Sequence, residues 1–440
     1  MSDSIAAAPT RSIYRHPGFM PFLLGRLAAV GAIHIQAVVV AWQVYDMTRD
    51  PLSLAYVGLA QFIPMLLLLM PAGDLIDRYD RKLILAISWA VEALCSGLLA
   101  WLSLSGSDNP HAIYAVLALF GCARAFTGPA LQSLLPQIVP RDQLAAAIAA
   151  NSMIMRGATI IGPLVGGGIY AWGGGGTTYG VCLACFLLGL ALLPWVPVRF
   201  AEKLTALETS AWKRFTAGIA FIRSRPIVLG TISLDLFAVL LGGVIALLPI
   251  YAQDVLQVGP QGLGALRSAI AIGEVGVGFY LSVRPFDRRV GLSMFIAVAV
   301  FGIANLVFSL SSLFWLSFMA LMVAGGADMV SVYIRSTLVQ FSTPDAMRGR
   351  VNAVNMLFIS SSNELGEFRA GASAAWFGVV GAAVGGSLCT LVVVGVWMWG
   401  FKQLRSLDHF ADAAFERARP VKPVERSLPD AAPASATRPL

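Results

Sequence analysis

Five acidic residues interrupt the apolar stretches in the second half of this 440-residue sequence, and four of them are its strongest candidates for chemistry. These four are Asp235, Asp328, Glu364 and Glu367. An ionised carboxylate is costly in hydrocarbon, so such residues tend to bind a proton or to pair with a cation. Glu364 and Glu367 are three residues apart, on one helical face with Ser360. Because two carboxylates so close in a low-dielectric medium are not both expected to be ionised, one of them is expected to carry a proton.

Each of these acids could take part in proton coupling, contact a substrate or form a structural ion pair. Asp235 lies about nine residues, or roughly 14 Å at 1.5 Å per residue, inside its apolar stretch. That depth is near the bilayer midplane, where transporter sites gather, so we favour Asp235 as the proton-coupling residue. For Glu364 and Glu367 the alternative is a lock, that is, a contact that holds the periplasmic side closed, with Arg369 or with the second apolar stretch.

Basic residues inside apolar stretches form a second set of candidates, namely Arg26, His34, Arg124 and Arg156. A buried arginine normally faces a cavity or a carboxylate, so Arg124 and Arg156 are expected to pair structurally or to take part in coupling. His34 is either a proton relay or a hydrogen-bonded packing residue. Glu274 is interpreted as neutralising Arg267, seven residues earlier on the same helical face.

Residue types that serve enzymes are sparse in this sequence. The four histidines, at positions 16, 34, 111 and 409, form neither a serine-histidine set nor a metal-binding cluster. The five cysteines lie in apolar stretches, where we interpret them as packing residues. We therefore expect no enzymatic activity, no cofactor and no metal site.

A repeat positions these candidates. Four residues of the first half return in the second at a constant offset (325 − 121 = 204): Gly121, Pro140, Gly162 and Trp172 match Gly325, Pro344, Gly366 and Trp376. The same offset places Asp328 opposite Arg124. Two halves with one fold are therefore expected, which is typical of transporters whose substrate site lies between the repeats.

The composition places the chain in a bilayer. It is 57% hydrophobic and 12% charged, whereas soluble domains carry about 25% charged residues. Twelve stretches approach the roughly 20 apolar residues that cross a membrane: 19–45, 52–73, 83–105, 111–134, 144–171, 177–198, 226–251, 262–283, 290–310, 312–338, 351–372 and 374–401. We predict an all-α integral membrane protein with twelve transmembrane helices in two pseudo-symmetric six-helix halves.

The distribution of Lys and Arg predicts the orientation. These residues concentrate in the even-numbered loops and in the central segment, which places those loops and both termini in the cytoplasm of a bacterium, with the helices in its inner membrane. The net charge of +7 is then a topology signal, and we expect no nucleic-acid partner.

The same signals divide the chain into five parts. They are an N-terminus (1–18), a first half (19–198), a linker (199–225), a second half (226–405) and a disordered tail (406–440). Apolar residues at helical spacing predict an amphipathic helix in the linker, lying on the membrane surface: Trp212, Phe215, Ile219 and Ile222.

The loop after the second apolar stretch carries a recognisable pattern. Residues 73–82 read Gly-Asp-Leu-Ile-Asp-Arg-Tyr-Asp-Arg-Lys. A glycine there allows close helix approach, and a carboxylate at the membrane edge can cap a helix or pair with arginine. The pattern resembles signature A of the major facilitator superfamily, matched at Gly73, Asp77, Arg78, Arg81 and Lys82. Asp80 stands where that pattern has glycine, and residues 286–289 are a weaker echo in the second half.

Two further patterns resemble this superfamily. Gly162, Pro163, Gly166 and Gly167 resemble signature C, which implies an exporter that works as an antiporter, although the same small residues also make a helix-packing face. Arg124 resembles the arginine of signature B, which implies a role in proton coupling, but its neighbours match poorly. Residues 348–353 and 362–368 resemble the sequences of a bacterial branch of the superfamily that is related to enterobactin exporters and to macrolide or tetracycline efflux pumps.

We therefore predict a monomeric secondary transporter that exports a small amphipathic compound, siderophore or drug-like, by proton antiport and alternating access. Its partners would be that small molecule, protons and the lipid bilayer. A proton-coupled importer of a small metabolite is the alternative. A non-transporting membrane partner or a lipid-handling protein is the alternative from a different class.

Overall fold

The computed structural model describes residues 13–106, 109–140, 143–198 and 211–415. Every regular element in those residues is helical, which confirms the all-α class. The first half contains α1 (Phe19–Thr48), α2 (Pro51–Arg78), α3 (Arg81–Leu104), α4 (Pro110–Ile138) and α5 (Leu144–Leu192). The linker contributes α6 (Ala211–Ser224).

The second half begins with α7 (Pro226–Gly242) and a run of short helical turns over 245–255 that includes α8 (Leu248–Ile250). It continues with α9 (Gly259–Val283), α10 (Val290–Leu310), α11 (Phe314–Ser342), α12 (Asp345–Phe377) and α13 (Val379–Gly400). The last helix, α14 (Lys402–Arg405), precedes a 3-10 turn over Phe410–Phe415.

Local backbone chemistry explains where several helices begin and break. The side chains of Asp50, Asp80 and Asn109 accept a backbone N–H from the residue two positions on and so cap α2, α3 and α4. Gly174 (φ +69°) bends α5 into two arms, and Gly378 (φ +72°) separates α12 from α13. These two glycines are related by the sequence repeat (378 − 174 = 204), so both halves turn at the same place through a conformation that favours glycine.

Ten helical segments of the described chain have the length and hydropathy of a membrane span. Two features separate this number from the twelve expected crossings. The segment Leu144–Trp195 counts once, although Gly174 breaks its helix. The 33-residue α12 falls below the hydropathy of the others because it carries polar and charged residues, Glu364 and Glu367 among them. The count of twelve crossings stays a prediction.

The repeat is visible in the packing of each half. In the first half α4 packs against α2, and a Cβ on Gly121 would collide with the backbone of Gln61. In the second half α11 packs against α9, and a Cβ on Gly325 would collide with the backbone of Ile270. Equivalent glycines therefore allow equivalent helices to approach closely.

The two halves meet along two helix pairs, α5 with α9 and α2 with α12. Among the described residues, the halves share a buried apolar core only near the C-terminal end of α1, which we call the Thr48 end. There Val38 and Trp42 of α1 lie in one cluster with Leu247 and Tyr251. Towards the opposite end, which we call the Phe19 end, the buried clusters belong to one half each. The molecule is therefore closed at the Thr48 end.

Polar contacts between the halves add to this closure. The hydroxyl of Tyr45 donates to Asp254, and Arg49 pairs with the same carboxylate at 3.4 Å. Arg49 also pairs with Asp46 at 2.9 Å, and Gln253 donates to Asp46 at 2.7 Å. Opening at this end therefore requires that a set of charged hydrogen bonds between α1 and the 251–255 turn be broken.

The linker helix and the tail differ from expectation. Ile222 of α6 is buried with Val351 and Val354 of α12, and Phe215 and Ile219 pack on the same cluster, so the apolar stripe faces the second half instead of lipid. The side chain of Trp212 and residues 199–210 lie outside what the structure describes. The tail is folded as far as residue 415: Phe410 is buried, and Ser342 donates to the carbonyl of Ala413 at 3.3 Å. The expected disorder of 406–415 is therefore wrong, and 416–440 are not described.

Candidate functional site

A cavity of about 140 Å³ lies between the two halves, beneath the closed Thr48 end. The first half supplies its walls from α1, α2 and α4, and the second half from α9, α12 and the turn after α7. The lining residues are Ile33, Gln36, Ala37, Val40, Ala41, Leu54, Val57, Gly58, Gln61, Leu117, Phe120, Arg124, Ala246, Arg267, Glu364 and Glu367. Both halves therefore contribute side chains to the wall of this cavity.

Four of the lining side chains are charged, two of each sign. Glu364 and Glu367 come from α12, Arg124 from α4 and Arg267 from α9. Arg124 acts electrostatically on Glu364, and Arg267 acts on Glu367. The structure therefore brings two arginines and two glutamates from both halves to one cavity, which is an arrangement that can hold a proton or a polar ligand group.

The contacts of the glutamates select between the alternatives left by the sequence. Glu364 and Glu367 face α2 at Gly58, where an added Cβ would lie 3.6 Å and 3.9 Å from their Oε2 atoms. Arg369 does not pair with them; it donates to the carbonyl oxygens of Leu240 and Gly243 at 3.2 Å and 3.1 Å. The lock with Arg369 is therefore wrong, while contact with the second helix is present.

Asp235 is not among the residues that line the cavity. It forms an ion pair with Arg335 of α11, and both side chains are almost fully buried inside the second half. Sequence depth alone could not reveal this partner, because Arg335 is a hundred residues away (335 − 235 = 100) and on a different helix. The position of Asp235 indicates structural pairing more than contact with substrate.

Arg156 and Glu274 form an ion pair of 3.3 Å that joins α5 to α9 across the halves. Glu274 was expected to neutralise Arg267, and that expectation is wrong, since Arg267 faces Glu367 instead. Asp328 of α11 lies within electrostatic range of this pair. A second charged group therefore lies between the halves, outside the cavity lining.

The remaining cationic candidates lie on α1. His34 is next to Gly162 of α5 and within electrostatic range of Arg124 and Arg267. Arg26 is 8% exposed, and its Nε atom has no hydrogen-bond partner among the described residues. Neither side chain lines the cavity.

Sequence reasoning missed two residues of this region. Arg267 was considered only as a partner of Glu274, yet it lines the cavity. Glu92 of α3 was not considered at all, although it is fully buried and accepts a hydrogen bond from Thr127 at 2.8 Å. The signal for Glu92 was the same as for Asp235, a lone carboxylate within an apolar stretch.

The small residues of α5 make two different contacts. A Cβ on Gly162 or Gly166 would collide with His34 or press on Ile35, both on α1 in the same half. A Cβ on Gly167 would collide with the backbone of Pro260 at the start of α9, in the other half. Pro163 takes part in the same junction, because its carbonyl lies against Gly264. The face thus packs within the first half and between the halves.

The loop with the signature A pattern is held by backbone contacts within the first half. Arg81 donates to the carbonyl of Ser133 at 3.4 Å, and Lys82 to that of Val196 at 2.9 Å. Arg78 pairs with Asp74 at 2.9 Å, while Gly73 faces open space. The side chain of Asp77 lies outside what the structure describes. Asp80, which stands where the pattern has glycine, caps α3 by accepting the backbone N–H of Lys82.

Comparison with known proteins identifies the family. The sequence profile of the transmembrane secretion effectors matches residues 12–429. The chain belongs to this family of the major facilitator superfamily. The superfamily resemblance is thereby confirmed, and the chain is a multi-pass membrane transporter for a small-molecule substrate, not an enzyme.

Members of this superfamily are also found among curated and solved proteins. Enterobactin exporter EntS of Escherichia coli O1:K1 / APEC is 28% identical over 346 residues, which are 77% of this chain and 81% of the relative. The same exporter of Shigella boydii serotype 18 matches with the same values. A bacterial homologue of the iron transporter ferroportin in its inward-facing state has a TM-score of 0.67 at 18% identity, covering 88% of this chain and 99% of that one.

A second solved structure gives the same fold. A bacterial homologue of the human lysosomal transporter Spinster, in an inward-facing and occupied conformation, has a TM-score of 0.66 at 15% identity and covers 94% of this chain and 100% of that one. At these identities the likeness concerns the fold alone, and it confirms the expected two-half transporter architecture.

Proposed function

We propose that this transmembrane secretion effector exports a small amphipathic molecule from the cytoplasm of a bacterium in exchange for protons. The observation that carries the proposal is the cavity between the halves, with Arg124 and Arg267 facing Glu364 and Glu367. Carboxylates held in a site that each half reaches can bind a proton on one side of the membrane and release it on the other.

The orientation in the membrane supports export. Lys and Arg concentrate at the Phe19 end, which we therefore assign to the cytoplasm together with both termini. The described conformation is closed at the Thr48 end, so the cavity would load from the cytoplasm in this state. Reporters that work only in the periplasm, fused at Leu207 and at the C-terminus, should give no signal, and a strong signal at either site would reverse the assigned direction.

The relatives and the cavity support the proposed substrate class. The relatives' name states that they export enterobactin, a siderophore, and the cavity wall combines aliphatic side chains with charges of both signs. We propose a siderophore or a drug-like compound that is amphipathic. The cavity is complete within one chain, so we also propose that the transporter works as a monomer.

The coupling residues are proposed to be Glu364 and Glu367, because they line the cavity. Asp235 and Asp328, which the sequence also favoured, lie outside it. In proteoliposomes, Glu364→Gln and Glu367→Gln should each abolish accumulation of enterobactin driven by a pH gradient, while exchange of enterobactin down its own gradient persists. Asp328→Asn serves as the matched control and should retain gradient-driven accumulation.

Two outcomes of this experiment would contradict the proposal. If both glutamine variants concentrate enterobactin at the parental rate, the cavity carboxylates are structural. If no variant, nor the parent, moves enterobactin in either direction while an unrelated drug-like compound is concentrated, the siderophore part is wrong and the antiport part stands.

A further inference from the structure

Glu92 is a buried acid that the proposed exchange at the cavity does not use. It lies on α3 at 0% exposure, in a core of large apolar side chains that includes Trp89, Phe120 and Phe186. A carboxylate in such a place is expensive unless it is paired with a cation and fully hydrogen-bonded. The hydrogen bonds around Glu92 therefore indicate which protonation state the fold accommodates.

The hydrogen bonds fit the acid form of Glu92. The hydroxyl of Thr127 lies 2.8 Å from Glu92 Oε1 and 3.2 Å from the carbonyl of Ala123, so it has two acceptors to choose from. If Glu92 is protonated, its O–H donates to Thr127 Oγ1, and Thr127 donates to Ala123, so that every proton has an acceptor. Glu92 Oε2 has no partner among the described residues in either state. In the acid form it is a neutral carbonyl oxygen, whereas in the ionised form it shares a buried negative charge, which costs more free energy.

Glu92 is connected to the cavity on two sides. Thr127 and Arg124 are three residues apart on α4, so the helix that carries the Glu92 partner also carries a cavity cation. On the other side, the Ser96 hydroxyl lies 3.0 Å from the backbone carbonyl oxygen of Glu92 and 2.8 Å from Gln36 Oε1, and Gln36 lines the cavity. Arg124 acts electrostatically on both Glu92 and Glu364.

We propose that Glu92 is a second proton-binding site of the transport cycle, and that Arg124 couples it to Glu364. This inference rests on the proposed function. When Glu364 is ionised, the positive charge of Arg124 stabilises the Glu364 carboxylate, and Glu92 keeps its proton. When one proton passes from Glu92 to Glu364, the O–H bond at Glu92 breaks and an O–H bond forms at Glu364. Arg124 then stabilises the carboxylate left at Glu92 in place of the one at Glu364, and the total charge is unchanged.

The groups around Glu92 are consistent with this assignment. Helix α3 packs mainly on α4 and α5. The titratable groups that interact with Glu92 are Arg124 on α4 and Cys95 on α3 itself. Cys122 of α4 interacts with Cys95, and Cys182 of α5 lies in the same apolar core. Thiols are ordinarily neutral near pH 7, so Arg124 is the charged group in this set that can respond to the cavity.

Infrared difference spectroscopy on the full chain in lipid tests the proposal without a substrate. Spectra between about pH 5 and about pH 9 should contain a protonated-carboxyl band that Glu92→Gln removes and that Ser96→Ala leaves in place. Thr127→Val should shift the frequency of that band without removing it, because the acid O–H loses its acceptor. Glu364→Gln should reduce the band at a fixed pH near 7, because Arg124 then acts on Glu92 alone.

A spectrum that is the same for the parent and for Glu92→Gln would overturn the proposal, and so would a band that ignores Thr127→Val. If Glu92→Gln fails to fold, the Thr127→Val and Glu364→Gln spectra decide alone. Failure of the proposed function is separate, since it appears as unchanged gradient-driven export in Glu364→Gln and Glu367→Gln, whatever the band of Glu92 does.

Discussion

The buried ion pair between Asp235 and Arg335 gives a sharp prediction about stability. The two side chains are 7% and 5% exposed, and they join α7 to α11 inside the second half. Removing one partner of a buried pair costs about 3–5 kcal/mol, because the other charge stays buried and uncompensated. At 1.36 kcal/mol per factor of ten, that is roughly two to four powers of ten in the unfolding equilibrium.

The two single substitutions should differ in their effect. In Asp235→Asn the guanidinium of Arg335 stays charged, since arginine does not lose its proton in proteins. In Arg335→Gln the remaining carboxylate of Asp235 can take up a proton and so avoid the cost of a buried, unpaired charge. We therefore expect Asp235→Asn to lower the free energy of unfolding by about 5 kcal/mol, and Arg335→Gln to lower it by about 3 kcal/mol.

Reversible unfolding in detergent, followed by denaturant titration, measures these differences. The double replacement Asp235→Leu with Arg335→Met should restore stability to near the parental value, because well-packed apolar residues substitute for a buried pair at little cost. Asp74→Asn is the matched control: it removes an exposed pair with Arg78 and should change stability by less than about 1 kcal/mol. If Asp235→Asn unfolds like this control, the pair does not hold the second half together and the reasoning fails.

Two further outcomes are expected. Gly166→Leu should abolish export while protein still reaches the membrane, because overpacking against Ile35 costs about 1–3 kcal/mol. Gly168 faces open space, so Gly168→Leu should export normally. Equal export rates for the two variants would show that this helix face does not control transport. Hydrogen bonding to Asp287 raises the pKa of His409 above its usual value. The contact between His409 and Asp287, which helps to hold residues 407–415, is therefore strongest at a pH below the usual pKa of histidine and is lost as the pH rises through the raised pKa. Limited proteolysis near residue 409 should accelerate from about pH 5.5 to about pH 8.5 in the parent and not in His409→Gln; equal acceleration in both would assign the effect to another group.

Residues chosen for backbone reasons were the most predictable part of the structure. The offset of Gly121 and Gly325 predicted two halves with one packing plan, and both glycines allow close helix approach. Glycine and proline report the backbone directly, so a repeat of their positions carries over to a repeat in three dimensions. The gap between the predicted stretches 144–171 and 177–198 matches the break that Gly174 makes in α5.

The pairing of charged residues was much less predictable. Asp235 with Arg335, and Arg156 with Glu274, join helices that are distant in sequence, and the pattern within one helix does not contain the partner. The interpretation of Glu274 with Arg267 failed because a position on one helical face says nothing about a neighbouring helix. Glu364 and Glu367 were identified as a pair because their spacing alone places them together.

The tail shows another limit of composition. Residues 406–440 are rich in alanine, proline and charge, which predicts disorder. Phe410 nevertheless anchors 410–415 by packing on Phe286 and Tyr333, with its backbone N–H bound to Asp287 at 2.8 Å. One aromatic residue and one carboxylate from another loop therefore override the local composition.

Export in exchange for protons through the cavity glutamates can be measured by following the protons. Inverted membrane vesicles that are acidified inside, and that contain a pH-sensitive dye, receive enterobactin from outside. Parental vesicles should lose part of their pH gradient as enterobactin enters, and vesicles with both Glu364→Gln and Glu367→Gln should not. Entry of enterobactin into parental vesicles with no loss of the gradient would contradict the proposed exchange.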